Sequence, residues 1–210
     1  MPETTVVHLL RHGEVSNPGG VLYGRLPGFH LSPEGEHMAK AAAVFLAGRD
    51  VTLLLSSPLE RALETAAPIA AQFGIEARVD ERLIEPWNHF EGTTFGVGDG
   101  ALRRPANWRH LRNPFRPSWG EPYASIAARM QSVMTDAAQE ARGHEAVLVS
   151  HQLAIWMARR SAEERRLWHH PARRECALGS VTSFTYTDGA ITAISYAEPA
   201  GGGRGGAHGA

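Results

Sequence analysis

The chain has 210 residues, a formal net charge of −1, 43% hydrophobic and 20% charged residues, a composition that suits one globular domain. The near-neutral balance excludes a protein that coats nucleic acid through a general basic field, and the apolar runs fall short of the roughly 20 residues a membrane helix needs. Lys40 is the only lysine and Cys176 the only cysteine, so anion binding falls to arginine and no intrachain disulfide can form.

Taken in order, residues 1–5 show no basic stretch followed by an apolar core and cleavage site, so a cytoplasmic location is expected. Residues 6–10 form an apolar run that ends in Arg11-His12-Gly13-Glu14, the pattern of a buried strand running into a loop. The glycine- and proline-rich residues 15–31, with Tyr23-Gly24-Arg25, read as an ordered loop. Ser32-Pro33-Glu34 reads as an N-cap, a first-position proline and an acid, opening a helix to about residue 48. A second apolar strand is expected at 52–56, then a helix opened by Ser57-Pro58 that lasts to about Phe73 and stops at Gly74. A weaker strand follows at 75–79.

Periodicity is lost between residues 80 and 123, where Trp87, Trp108, Trp119 and, from Arg103 to Arg116, five arginines stand among prolines. A run this long is read as a lid over a site, spanning about 86–121. Helical spacing returns at 122–142, a fourth apolar strand at 146–150 ends at His151, and another helix runs through 156–160. Residues 181–186 and 191–196 read as strands joined at Asp188-Gly189, a hairpin signal. Alternating strands and helices imply an α/β fold of three layers, a mostly parallel central sheet covered by helices. Residues 1–198 are expected to form one domain, with a disordered glycine-rich tail at 199–210.

The chemistry gathers where strands end. In open α/β sheets the ligand crevice lies at the carboxyl ends of the strands. Arg11 brings a permanent charge with planar donors suited to phosphate, and His12 a nucleophile or base that is partly neutral near pH 7. Gly13 would let the chain turn sharply and an anion come close. His151 ends another apolar strand in the same way. Arg61 falls in the first turn of a helix, where the helix dipole disfavours it unless an anion offsets the cost. His8 and His12, although spaced H-x-x-x-H, lie roughly 13 Å apart on a strand and cannot share a metal ion. No metal or other cofactor is expected, and His89, His110, His169 and His170 are read as surface or lid residues.

These pieces resemble, in order, the motifs of the histidine phosphatase superfamily, also called phosphoglycerate mutase-like. Arg11-His12-Gly13-Glu14 is similar to its signature, and Ser57-Pro58 with Arg61, Thr65 and Ala66 to its second motif. Leu83-Ile84-Glu85 with Phe90-Glu91-Gly92 resembles its glutamate region, and Ser150-His151 its last histidine. The family commonly has glycine after that histidine, where this chain has Gln152. The resemblance implies a phosphoglycerate mutase-like fold, a phosphohistidine on His12, phosphate held by Arg11 and Arg61, a donor at His151, and Glu85 as the acid that protonates the leaving oxygen. Glu91 and Glu14 are the competing acids. It further implies substrate contacts from Asn17 and Arg25. Arg103 and Arg104 could meet a carboxylate or second phosphate.

The expected activity is that of a metal-independent, histidine acid phosphatase-type phosphomonoesterase acting on a small phosphorylated metabolite. The alternatives are a phosphoglycerate mutase-type isomerase, which must keep water from the phosphohistidine, and a catalytically silent phosphate-binding module. The resemblance implies hydrolysis over isomerisation, since the family's true mutases carry a lysine-bearing segment in an extended insertion that has no lysine here, and the complete set of five residues favours an enzyme over a silent module. The partner is the phosphorylated substrate, with no nucleic acid and no membrane, and a homodimer is compatible with the reading.

Overall fold

The computed structural model describes residues 3–94 and 119–201. Its centre is a sheet of six strands in the order β3-β2-β4-β1-β5-β6. The strands are β1 (Thr4–Arg11), β2 (Val51–Ser56), β3 (Ala77–Val79), β4 (Glu145–Ser150), β5 (Val181–Thr187) and β6 (Ala190–Ala197). β1, β4, β2 and β3 run parallel, while β5 and β6 continue the sheet antiparallel beyond β1. Asp188 and Gly189 both have positive φ (51° and 83°), the backbone that a two-residue hairpin turn demands.

Among the described residues the α-helices are α1 (Pro33–Leu46), α2 (Glu60–Phe73), α3 (Tyr123–Glu140) and α4 (Gln152–Ala162). Because successive strand residues face opposite sides, each central strand feeds two cores. On one side Val7, Leu9, Leu53 and Leu148 pack with Ile126, Met130 and Met134 of α3 and Ile155 of α4. On the other, Leu10, Leu54, Val147 and Val149 pack with Ala42 and Leu46 of α1 and Ala62, Ala66 and Ile69 of α2. This is the expected three-layer arrangement.

The start of α1 is as its residues require, with Ser32 Oγ accepting from the Gly35 amide at 3.0 Å and Pro33 in the first turn. The start of α2 differs from expectation: it begins at Glu60, after Leu59, with no side-chain cap. Ser57 does not open the helix because both its polar groups are engaged elsewhere. Its amide extends the sheet pairing to Val149 O at 2.9 Å, and its hydroxyl meets His151 at 2.7 Å. The expected lid core and most of the 199–210 tail lie outside the described residues, as do Arg103, Arg104, Trp108 and His110.

Candidate active site

Strand register builds the site. Arg11 of β1 pairs with Ser150 of β4, and Ser56 of β2 pairs with Val149 of β4. The next residue of each strand, His12, His151 and Ser57, therefore leaves the sheet on the same edge, one beside another. The His12 and His151 rings lie 5.1 Å apart between centroids. The chain after β3 folds back over these ends, anchored by Ser150 Oγ donating to Leu83 O at 2.7 Å, and so brings Glu85 down beside the histidines. Arg11, His12, Arg61, Glu85 and His151 thus converge, and all five are buried.

The hydrogen bonds assign the tautomer of His12. Its Nδ1 stands 2.8 Å from the Gly13 carbonyl oxygen, which can only accept, so Nδ1 carries the proton and Nε2 keeps a free lone pair. Burial, then the charges of Arg61 and Arg11, hold the His12 pKa well below its ordinary 6.5, so the ring is neutral. His151 is depressed in the same way, by burial first and then by Arg61 and His12. Arg61 Nη2 lies 3.4 Å from His151 Nδ1, which leaves Nε2–H to donate to Ser57 Oγ.

Arg11 donates from Nη1 to Cys176 O at 2.7 Å, and Arg61 from Nη2 to Gly24 O at 2.6 Å, with the Arg61 guanidinium 4.7 Å above the Tyr23 ring. Among the described residues neither guanidinium has a carboxylate within 4.0 Å. Arg11 Nε and Arg61 Nε and Nη1 are buried with no hydrogen-bond partner. Two buried cations with free donors are costly unless an anion answers them. Together they match the several oxygens of a phosphoryl group.

Among the described residues Glu85 is the one acid paired with a site histidine, with Oε2 3.5 Å from His151 Nδ1. Burial raises its pKa above the ordinary 4.5, against the pull of Arg61 and Arg11, which favours a protonated carboxyl able to donate. Trp87, two residues further on, is 45% exposed and does not supply that burial. Of the competing acids, Glu91 is held by the Asn88 amide, and among the described residues neither Glu91 nor Glu14 has a carboxylate within 4.0 Å of His12 or His151.

Gly13 has a different physical role from the one expected. Its φ is not positive; instead a Cβ there would lie 2.4 Å from Gly35 O, where the start of α1 crosses the signature. Asn17 uses both ends of its amide on Val21, closing its own loop, and Arg25 donates from Nε to Glu85 O at 2.6 Å. Asn17 thus serves its own loop, and Arg25 braces the backbone of Glu85. Ser57 escaped the sequence reading because its pattern matches a helix cap. His169, expected at the surface, is 7% exposed. Among the described residues no group of three or more His, Cys, Asp or Glu stands close enough to hold a metal ion, and no helix is long and apolar enough to cross a membrane.

Residues 7–199 match the family model described as histidine phosphatase superfamily (branch 1). The chain is 54% identical over 200 residues to an uncharacterised protein of Mycobacterium tuberculosis, covering 95% of this chain and 99% of that one. Among solved structures it resembles a mycobacterial glucosyl-3-phosphoglycerate phosphatase, with 26% identity, a TM-score of 0.72, and 92% and 96% of the two chains covered. It also resembles a mutant phosphoserine phosphatase of Entamoeba histolytica in complex with phosphoserine, at 25% identity and a TM-score of 0.73, over 90% and 96% of the two chains.

Proposed function

Since the chain belongs to the histidine phosphatase superfamily (branch 1), we propose that it is a phosphomonoester hydrolase that works through a phosphohistidine on His12. The observation that carries this reading is the pair of buried, carboxylate-free guanidiniums with free donors whose charges act on a neutral histidine. The names of the structural relatives, phosphatases of a glucosyl-phosphoglycerate and of phosphoserine, support hydrolysis of a small phosphorylated metabolite.

In the first step His12 Nε2 attacks phosphorus as the bond to the ester oxygen breaks. The electron pair of that bond stays on the oxygen, which takes a proton from the Glu85 carboxyl. Arg11 and Arg61 neutralise the phosphoryl oxygens as charge shifts onto them. His151, its Nε2–H engaged by Ser57 Oγ, adds a third donor from Nδ1 once the bound dianion lets it take up a proton from solvent. In the second step a water attacks phosphorus, Glu85 takes its proton, and the N–P bond returns its pair to Nε2. Inorganic phosphate leaves, and Glu85 is again protonated.

The test is phosphate release from a panel of phosphorylated metabolites by wild type and His12→Ala, with a metal chelator present. Chelator-resistant release that His12→Ala loses is the expected result. Loss of release on chelation, or full activity in His12→Ala, would overturn the reading.

A further inference from the structure

A third arginine lies beside this site with no role in the steps above. Arg174, half-buried in the segment before β5, donates from Nε to His169 Nε2 at 2.9 Å and from Nη1 to Gln152 Oε1 at 3.1 Å. Both acceptors are neutral. His169 Nδ1 lies 2.8 Å from Leu167 O, which fixes the proton on Nδ1 and leaves Nε2 to accept. Burial holds the His169 pKa down at about 4, and its ring is wedged beside those of Tyr123 and Trp156 at 5.5 and 6.0 Å. Among the described residues Arg174 has no carboxylate within 4.0 Å, and its Nη2 makes no hydrogen bond.

The same network ties Arg174 to the phosphate cradle. Gln152 Nε2 donates to Cys176 O at 3.4 Å, the carbonyl that also receives Arg11 Nη1. Gln152 is the residue that departs from the family's usual glycine after the histidine, so this tether belongs to the present sequence. The charge of Arg174 is felt at Glu85 and at Arg11. It therefore lies close to Glu85 as well as to the phosphate cradle. A guanidinium pre-oriented by two neutral side chains, with a nitrogen left over, is built to receive an anion rather than to balance one already present.

We infer that Arg174, positioned by Gln152 and His169, binds a second anionic group on the alcohol portion of the substrate. The substrate class is then a phosphomonoester whose leaving group itself carries a carboxylate or a second phosphoryl group. This rests on the reading of His12 as nucleophile and Glu85 as acid, because these define the leaving-group side.

The test uses the His12→Ala protein, so that binding is read without turnover, and calorimetric titration with two matched pairs. 3-Phosphoglycerate against glycerol 3-phosphate isolates a carboxylate, and fructose 1,6-bisphosphate against fructose 6-phosphate isolates a second phosphoryl group. At least one pair should show tighter binding of the doubly anionic member, by roughly ten- to a hundredfold, the range of a charge-assisted hydrogen bond. The pair that shows it names the anion. Adding Arg174→Met should erase the preference, Arg174→Lys should keep part of it, and Gln152→Ala should reduce it by misplacing the guanidinium. A purely structural Arg174 would lower the affinity of both members alike. Equal affinities within both pairs, or a preference that survives Arg174→Met in a folded protein, would overturn the inference. Phosphate release by wild type on the same four compounds separates the two claims. An Arg174-dependent preference with no release from any of them would count against hydrolysis but keep the anion site.

Discussion

Replacing Glu85 by glutamine keeps its shape and its acceptor oxygen but removes the proton it is proposed to give. The structure sets the size of the effect. Glu85 is buried, its pKa is raised by that burial, Glu91 is held by the Asn88 amide, and among the described residues no other carboxylate stands within 4.0 Å of His12 or His151. General acid catalysis contributes about 10²- to 10⁴-fold where the leaving oxygen needs the proton. Glu85→Gln should therefore lose about that much kcat on glycerol 3-phosphate, whose alkoxide is a poor leaving group. On p-nitrophenyl phosphate, which departs as a stabilised phenolate, the loss should stay under about tenfold. The kcat/KM profile gives a second reading. Activity needs His12 neutral, so its rising limb lies below the ordinary 6.5 of imidazole. It also needs Glu85 protonated, so its falling limb lies above the ordinary 4.5 of glutamate. Glu85→Gln should abolish the falling limb and leave the rising one. Phosphate release from the two substrates across pH measures both effects. An equal loss on both substrates, or an unchanged falling limb, would refute Glu85 as the acid.

Three further outcomes follow from individual contacts. Gly13→Ala places a methyl 2.4 Å from Gly35 O, and should cost about 1–3 kcal/mol in urea unfolding while lowering activity. Ser57→Ala leaves the buried His151 Nε2–H without its acceptor, which should cost about 1–3 kcal/mol and reduce kcat. Arg61→Met removes a buried cation that has no carboxylate partner among the described residues. It should lose at least about 100-fold in kcat/KM, while stability falls by no more than about 1 kcal/mol, because a charge kept for an anion contributes little to the fold. Urea unfolding beside steady-state kinetics checks all three, and a large loss of stability in Arg61→Met would show that the guanidinium is structural.

What could be read in advance was whatever a short stretch of sequence carries by itself. The strands ending at Arg11 and Ser150 announce themselves as apolar runs cut off by polar residues. His12 and His151 could therefore be placed at one sheet edge before any coordinates. Arg61 was reached through the resemblance of its motif, and its awkward place at a helix start only added to that reading. Glu85 was reached only through resemblance, since its burial is made by a backbone fold-over that no periodicity signals. Ser57 was misread because a serine before proline satisfies the grammar of a helix cap, while its true partner stands 94 residues away. His169 looked like a surface residue in a polar stretch, and only the packing of Tyr123 and Trp156 shows it to be buried. Arg174 had no local signal, except that Gln152 sat where a glycine was expected.

The most direct test of the central claim is to trap the covalent intermediate. Wild type and Glu85→Gln would be quenched within one turnover of phosphorylated substrate and mapped by peptide mass spectrometry under alkaline conditions that preserve phosphohistidine. The account predicts a phosphoryl group on Nε2 of His12, absent from His12→Ala, whose formation and discharge rise and fall with turnover. A phosphoryl group on any other residue, or turnover in His12→Ala at the wild-type rate, would contradict it.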